Sequence, residues 1–154
     1  MADRHHYKTQ ITWSGHEAGQ PFDYRSYDRT HQIEIAGKPP LTASADPTFM
    51  GDSGLYNPED MLVAALSSCH LLSFLSICAR ARITVLSYTD EAEGVMVMDR
   101  ADTGRFSDVL LKPIVGLAPG ADLEKARSFH EMAHKVCFIA RSVNFPVRCE
   151  PSFL

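Results

Sequence analysis

The sequence predicts a single α+β domain over residues 1–154, and three observations carry that reading. Two segments, 57–82 and 122–142, have helical periodicity; the β-patterned stretches pair off as antiparallel hairpins; and 154 residues suffice for one core with little left for a second. Hydrophobic residues make up 45% of the chain and charged residues 22%, the balance of an ordinary globular protein rather than a disordered or fibrous one. A net charge of −4 and the lack of a basic patch argue against nucleic acid as a partner.

Taken in order, Tyr7 to Trp13 alternates weakly and runs into Ser14-Gly15-His16-Glu17-Ala18-Gly19, a strand followed by a turn-rich connection. Tyr24 to Ala36 offers a second strand, with Ile33 and Ile35 on one face and Gly37-Lys38-Pro39-Pro40 to stop it. Leu41 to Tyr56 is rich in Pro, Gly, Ser and Asp, which predicts an irregular loop with a short strand at its beginning. The length of that loop makes it a candidate active-site loop.

Asn57-Pro58-Glu59-Asp60 is a helix start: Asn caps, Pro occupies the first helical position where its missing N–H costs nothing, and acids fill the first turn. Leu62, Ala65, Leu66, Cys69, Leu72, Ser73 and Ser76 then recur at three- and four-residue spacing, which puts Cys69 on the stripe. Met61, Val63, Leu71, Phe74 and Leu75 make the remaining face apolar as well, so a buried central helix is expected. From Ile83 to Asp99 the pattern is β, with a bend at Glu93-Gly94, and Asp99 to Gly104 turns the chain. Phe106 to Gly116 is the antiparallel partner, Pro113 favouring an edge or a bulge. A second helix from Asp122 to about Ser142 carries Cys137, and Val143 to Glu150 is a last strand.

No signal peptide is visible at the N-terminus, so a cytoplasmic location is expected. The longest uninterrupted apolar run, Leu62 to Leu66, is far short of the roughly 20 residues of a membrane helix, and no spanning segment is expected. In that setting the four cysteines, at 69, 78, 137 and 149, do not read as a secreted disulfide framework; reduced thiols, redox chemistry and metal stay open. By pattern alone each is a core residue, since free cysteine is among the most buried residue types. Histidines offer a rival: His130, His134 and Cys137 at i, i+4 and i+7 project from one helical face and, with Cys69 or His70, could complete a tetrahedral metal site. Phe74, Phe129, Phe138 and Met132 could wall an apolar pocket, although ordinary core is their default.

The segment NPEDMLVAALSSCH, residues 57–70, is similar to the Asn-Pro-Glu…Ala-x-Cys signature of the OsmC/Ohr family. AHKVCFIARSVNFPV, residues 133–147, resembles that family's second cysteine helix and closing strand, and the order and 68-residue offset of the two cysteines coincide as well. The resemblance implies an OsmC-like α+β fold, antiparallel sheets wrapped around two central helices, in an intertwined homodimer. It also implies a thiol peroxidase that reduces organic hydroperoxides, with Cys69 peroxidatic and Cys137 resolving, and a dithiol reductant of the lipoyl type, such as dihydrolipoamide. No cofactor and no metal follow from it.

The chemistry suits those roles. A thiolate cuts the peroxide O–O bond and becomes a sulfenic acid, which a nearby thiol condenses to a disulfide. Cys69, three turns into its helix and in apolar surroundings, needs a cation to favour the thiolate. In the family that cation is an arginine held by the glutamate of the Asn-Pro-Glu motif, here Glu59; Arg29 is preferred over Arg25 because it leads directly into the Ile33/Ile35 strand. Glu59 and Cys69 are ten residues apart, about 15 Å along one helix, so two helices crossing antiparallel in a homodimer would bring them together more easily.

Overall fold

A computed structural model describes residues 3–100 and 103–154 and divides the chain into two compact units, Met1–Met61 and Leu62–Leu154. In the first unit three short strands, β1 (Gln10–Thr12), β2 (His31–Glu34) and β3 (Leu41–Ala43), form an antiparallel sheet in sequence order. Ile11 faces Ile33 and Ile33 faces Leu41 across it. The strands are shorter than the sequence suggests, because Tyr24 to Thr30 form turns tied by side chains: Asp23 accepts from the Arg25 amide at 2.8 Å and Asp28 from the Thr30 amide at 2.9 Å. Such local bonds compete with a strand ladder.

The loop after β3 is ordered by the same kind of contact. Asp46 caps a short 3₁₀ turn, Pro47–Phe49, and Met50 follows in the left-handed region at φ 62°. Gly51 is required there, since a Cβ would lie 1.6 Å from the Ala45 carbonyl oxygen. The loop delivers Asn57, whose side chain accepts from the Asp60 amide at 2.8 Å while the Asp60 carboxylate accepts from the Asn57 amide at 3.4 Å, a reciprocal cap of the predicted kind.

Helix α1 runs Pro58–Arg80. It ends two residues earlier than the sequence pattern suggests: Arg82 adopts φ 59°, and the Ile83 amide reaches back to the Cys78 carbonyl at 2.9 Å. The buried line along α1 is Leu66, His70, Phe74 and Cys78, not the stripe through Cys69. With apolar residues on every side, periodicity could not select the inward face. Contrary to the expectation of no spanning segment, α1 has 23 residues, a mean hydropathy of 1.9 over its most apolar stretch, and only 22% of that stretch buried, so by length and composition it could cross a membrane. Its protein-facing polar contacts, Ser67 Oγ to Asp90 at 2.5 Å and the buried His70, mark it instead as a helix that packs on protein.

The second unit continues with β4 (Val85–Asp90), β5 (Glu93–Arg100), β6 (Thr103–Leu111) and β7 (Pro113–Leu117). Helix α2 (Leu123–Val136) and strands β8 (Val147–Cys149) and β9 (Ser152–Phe153) complete it. Two three-stranded sheets result, β4-β7-β9 and β5-β6-β8. The predicted antiparallel pairing is β5 with β6 and β4 with β7, but β8 and β9 add in parallel, so both sheets are mixed. The chain changes sheet at Glu91-Ala92, at Lys112 and at Glu150-Pro151; Pro113, which lacks an amide donor, follows the second change. The bend expected at Glu93-Gly94 thus falls two residues earlier, and the middle of the 99–104 turn lies outside the described residues.

Phe74 and Cys78 of α1 pack with Val115 of β7 and with Ala126, Phe129 and Ala133 of α2, while Leu66 packs on Val109 and Leu111 of β6. Each large apolar side chain buried this way contributes on the order of 2 kcal/mol. Helix α2 is shorter than the predicted 122–142: Cys137 takes extended geometry at ψ 112° and ends it, and a 3₁₀ turn, Ala140–Ser142, follows. The residues beyond, Phe138 and Ile139, are aromatic and β-branched, which lose side-chain freedom in a helix.

Candidate active site

Cys69 projects about 100° around α1 from the buried line that His70 occupies, and its side chain is half-buried. Cys137, fully buried at the end of α2, lies close enough for the two side chains to act on each other. Burial pushes the Cys137 thiol up to about 11, the Cys69 side chain reinforces that shift, and the Ala140 amide, 3.5 Å from the sulfur, opposes it. Cys137 therefore keeps its proton near neutral pH. The two cysteines singled out in the sequence are together in the second unit, both as free thiols.

Glu59 and Arg29 belong to the first unit and line one cavity of about 480 Å³, walled by Trp13, Phe22, Tyr27 and Phe49. This aromatic cluster, with Phe22 and Tyr27 rings each 6.2 Å from Trp13, has no spacing signature in the sequence. The Arg29 guanidinium donates to the Tyr27 carbonyl at 2.9 Å and the Tyr24 carbonyl at 2.5 Å and lies 4.1 Å from the centre of the Tyr27 ring. Arg29 is thus fixed by its own turn; among the described residues it forms no ion pair with Glu59. Arg25 is exposed and does not line the cavity.

The histidine reading changes. Because α2 stops before Cys137, His130, His134 and Cys137 do not share one helical face, and His134 is exposed. His70 and His130 meet instead, Nε2 to Nδ1 at 3.0 Å, with the Cys149 sulfur 3.5 and 3.8 Å from those atoms. Burial holds both imidazoles neutral, each pushed down to about 4, and pushes the Cys149 thiol up to about 12. Cys78 is the inert core cysteine the pattern suggests, its thiol raised to about 11 by burial. The apolar wall does not form: Phe74 and Phe129 are core, but Phe138 is 77% exposed and Met132 lies on the surface.

The second unit is thus an α+β unit with two thiols near each other, one at the middle of one helix and one at the end of another. The chain belongs to the OsmC-like protein family, whose sequence profile matches residues 51–152. It is similar to the structure of an OsmC-like protein of unknown function from Vibrio cholerae at 34% identity, with 96% of this chain and 99% of that one covered and a TM-score of 0.86. It shares its fold with an organic hydroperoxide resistance protein from Elizabethkingia anophelis at 19% identity, full coverage of both chains and a TM-score of 0.74. A further organic hydroperoxide resistance protein, from Legionella pneumophila, aligns at 18% identity over 96% of each chain with a TM-score of 0.66. No curated protein matches the chain.

Proposed function

We propose that the protein is a thiol-dependent peroxidase that reduces organic hydroperoxides. The contact between the Cys69 and Cys137 thiols carries this reading, because a resolving thiol must reach the sulfur it resolves. Cys69 attacks the terminal oxygen of the hydroperoxide as thiolate: an S–O bond forms, the O–O bond breaks, and the alkoxide leaves and takes a proton to become the alcohol. Cys69 is then a sulfenic acid. The sulfur of Cys137 displaces water from it and forms the disulfide, and an external dithiol, such as dihydrolipoamide, reduces that disulfide while being oxidised to its own.

Arg29 stabilises the thiolate and orients the peroxide, Glu59 positions the arginine, and residues 1–154 act as one OsmC-like domain in a cytoplasmic homodimer. Support for the dimer comes from α1, which leaves Leu72 62% exposed on an apolar helix. Support for an apolar substrate comes from the aromatic walls of the Arg29 cavity. The test is multiple-turnover consumption of cumene hydroperoxide with dihydrolipoamide. Activity lost in Cys69→Ser supports the assignment, and an inactive parent protein contradicts it.

A further inference from the structure

We propose that His70 Nε2, His130 Nδ1 and Cys149 Sγ form a binding site for one thiophilic divalent cation, zinc(II) foremost, with the remaining coordination position open to the cleft beside α2. The site uses neither Cys69 nor Cys137.

The three donor atoms all lie within 4.8 Å of one another. Their separations are 3.0, 3.5 and 3.8 Å. For tetrahedral zinc with bonds of about 2.0 Å to nitrogen and about 2.3 Å to sulfur, donors sit roughly 3.3 Å apart for two nitrogens and roughly 3.6 Å for nitrogen and sulfur. The cluster matches that triangle to within a few tenths of an ångström. Two imidazoles and one thiolate also form a donor set that zinc prefers.

The rings are held in place by packing. His130 stacks on Phe74 at 4.1 Å between centroids and 14° between planes, and His70 lies nearly parallel to His130 at 9°. Both side chains are buried, 1% and 3% exposed, in a core that is otherwise apolar. Burying such polar groups is costly, and the three proposed donor atoms are satisfied by one another. His130 Nε2, the ring nitrogen not proposed as a ligand, and Tyr88 Oη are the two buried side-chain polar atoms without a hydrogen-bond partner among the described residues.

Charge and access fit as well. The Asp90 carboxylate, fixed by Ser67 Oγ and by the Lys112 amide at 2.6 Å, acts electrostatically on His70, Tyr88 and Cys149 and offsets the charge of a bound cation. His130 and Cys149 line a cleft of about 470 Å³ whose rim carries Arg127, Glu131, His134 and Lys135, which gives an ion a route in. Neutral imidazoles bind without losing a proton; Cys149 must release one, so binding liberates one proton per cation.

The experiment uses the chelator-stripped parent chain and a Cys69→Ser/Cys137→Ser double variant. Each is titrated with zinc(II) against a chromophoric chelator and with cobalt(II), whose ultraviolet charge-transfer band reports a thiolate ligand. One equivalent per chain is expected in both proteins, with the band in both. The equivalent is lost in Cys149→Ala and His130→Ala and kept in His134→Ala. Should those core variants not fold, zinc X-ray absorption on the double variant reads the ligands directly: two nitrogens at about 2.0 Å and one sulfur at about 2.3 Å. Sub-stoichiometric zinc in the parent overturns the proposal, as does a sulfur ligand that disappears in the double variant, or a site lost in His134→Ala but kept in Cys149→Ala.

Discussion

The Cys69 and Cys137 side chains are close enough to act on each other, one three turns into α1 and the other at the residue that ends α2. This contact separates the steps of the proposed cycle. Cys137→Ser should leave the first turnover intact and abolish the rest. Quenched flow with a sulfenic-acid trap should show adduct accumulating on Cys69, with further oxidation when hydroperoxide is in excess. Equal loss of the first turnover would place Cys137 in the attack itself.

Arg29 is held over the Tyr27 ring and by two backbone carbonyls, in the same cavity as Glu59. Arg29→Ala should lower kcat/KM for an organic hydroperoxide by about 10²-fold or more, the scale of losing one charge-stabilising donor at a reacting centre. Arg25→Ala, altering an exposed side chain, should match the parent. The reverse ranking would reassign the cation.

His70 and His130, both pushed down to about 4 by burial, fix the sign of an acid effect on stability in the metal-free protein. Folded, they bind fewer protons than the unfolded chain does, so stability is complete above pH 6.5 and falls as the pH drops toward 4. Asp90 opposes the shift at His70 in part. The loss is on the order of 3 kcal/mol per histidine. Urea midpoints measured with chelator at fixed protein concentration should decline from pH 7.5 to 4.5, and His130→Phe should flatten the curve. A parent midpoint independent of pH would contradict the account.

Phe74 is fully buried between α1, α2 and β7 and stacks on His130. Phe74→Ala should cost about 3–5 kcal/mol in urea unfolding, whereas Leu72→Ala, on an exposed face of the same helix, should cost a monomer little. A large Leu72→Ala effect that shrinks as protein is diluted would place a second chain on that face.

What the sequence disclosed follows from how local each signal is. The cap at Asn57 and Asp60 was legible because four consecutive residues specify it. Pro113 signalled an edge or bulge within one strand over 106–116, whereas the chain divides there into β6 and β7 in different sheets. The inward face of α1 was hidden because apolar residues surround it, and the parallel β8 and β9 because short strands paired over long distances leave little pattern. His130 was noticed through its four-residue spacing to His134, but its partners His70 and Cys149 lie 60 and 19 residues away. No spacing rule joins those three.

The central claim is that Cys69 and Cys137 form one redox couple. Mass analysis of the reduced protein after one equivalent of cumene hydroperoxide, beside Cys69→Ser and Cys137→Ser, tests it directly. The account predicts a single Cys69 to Cys137 disulfide in the parent and none in either variant. Oxidation without that disulfide, or a disulfide drawing on Cys78 or Cys149, would contradict it.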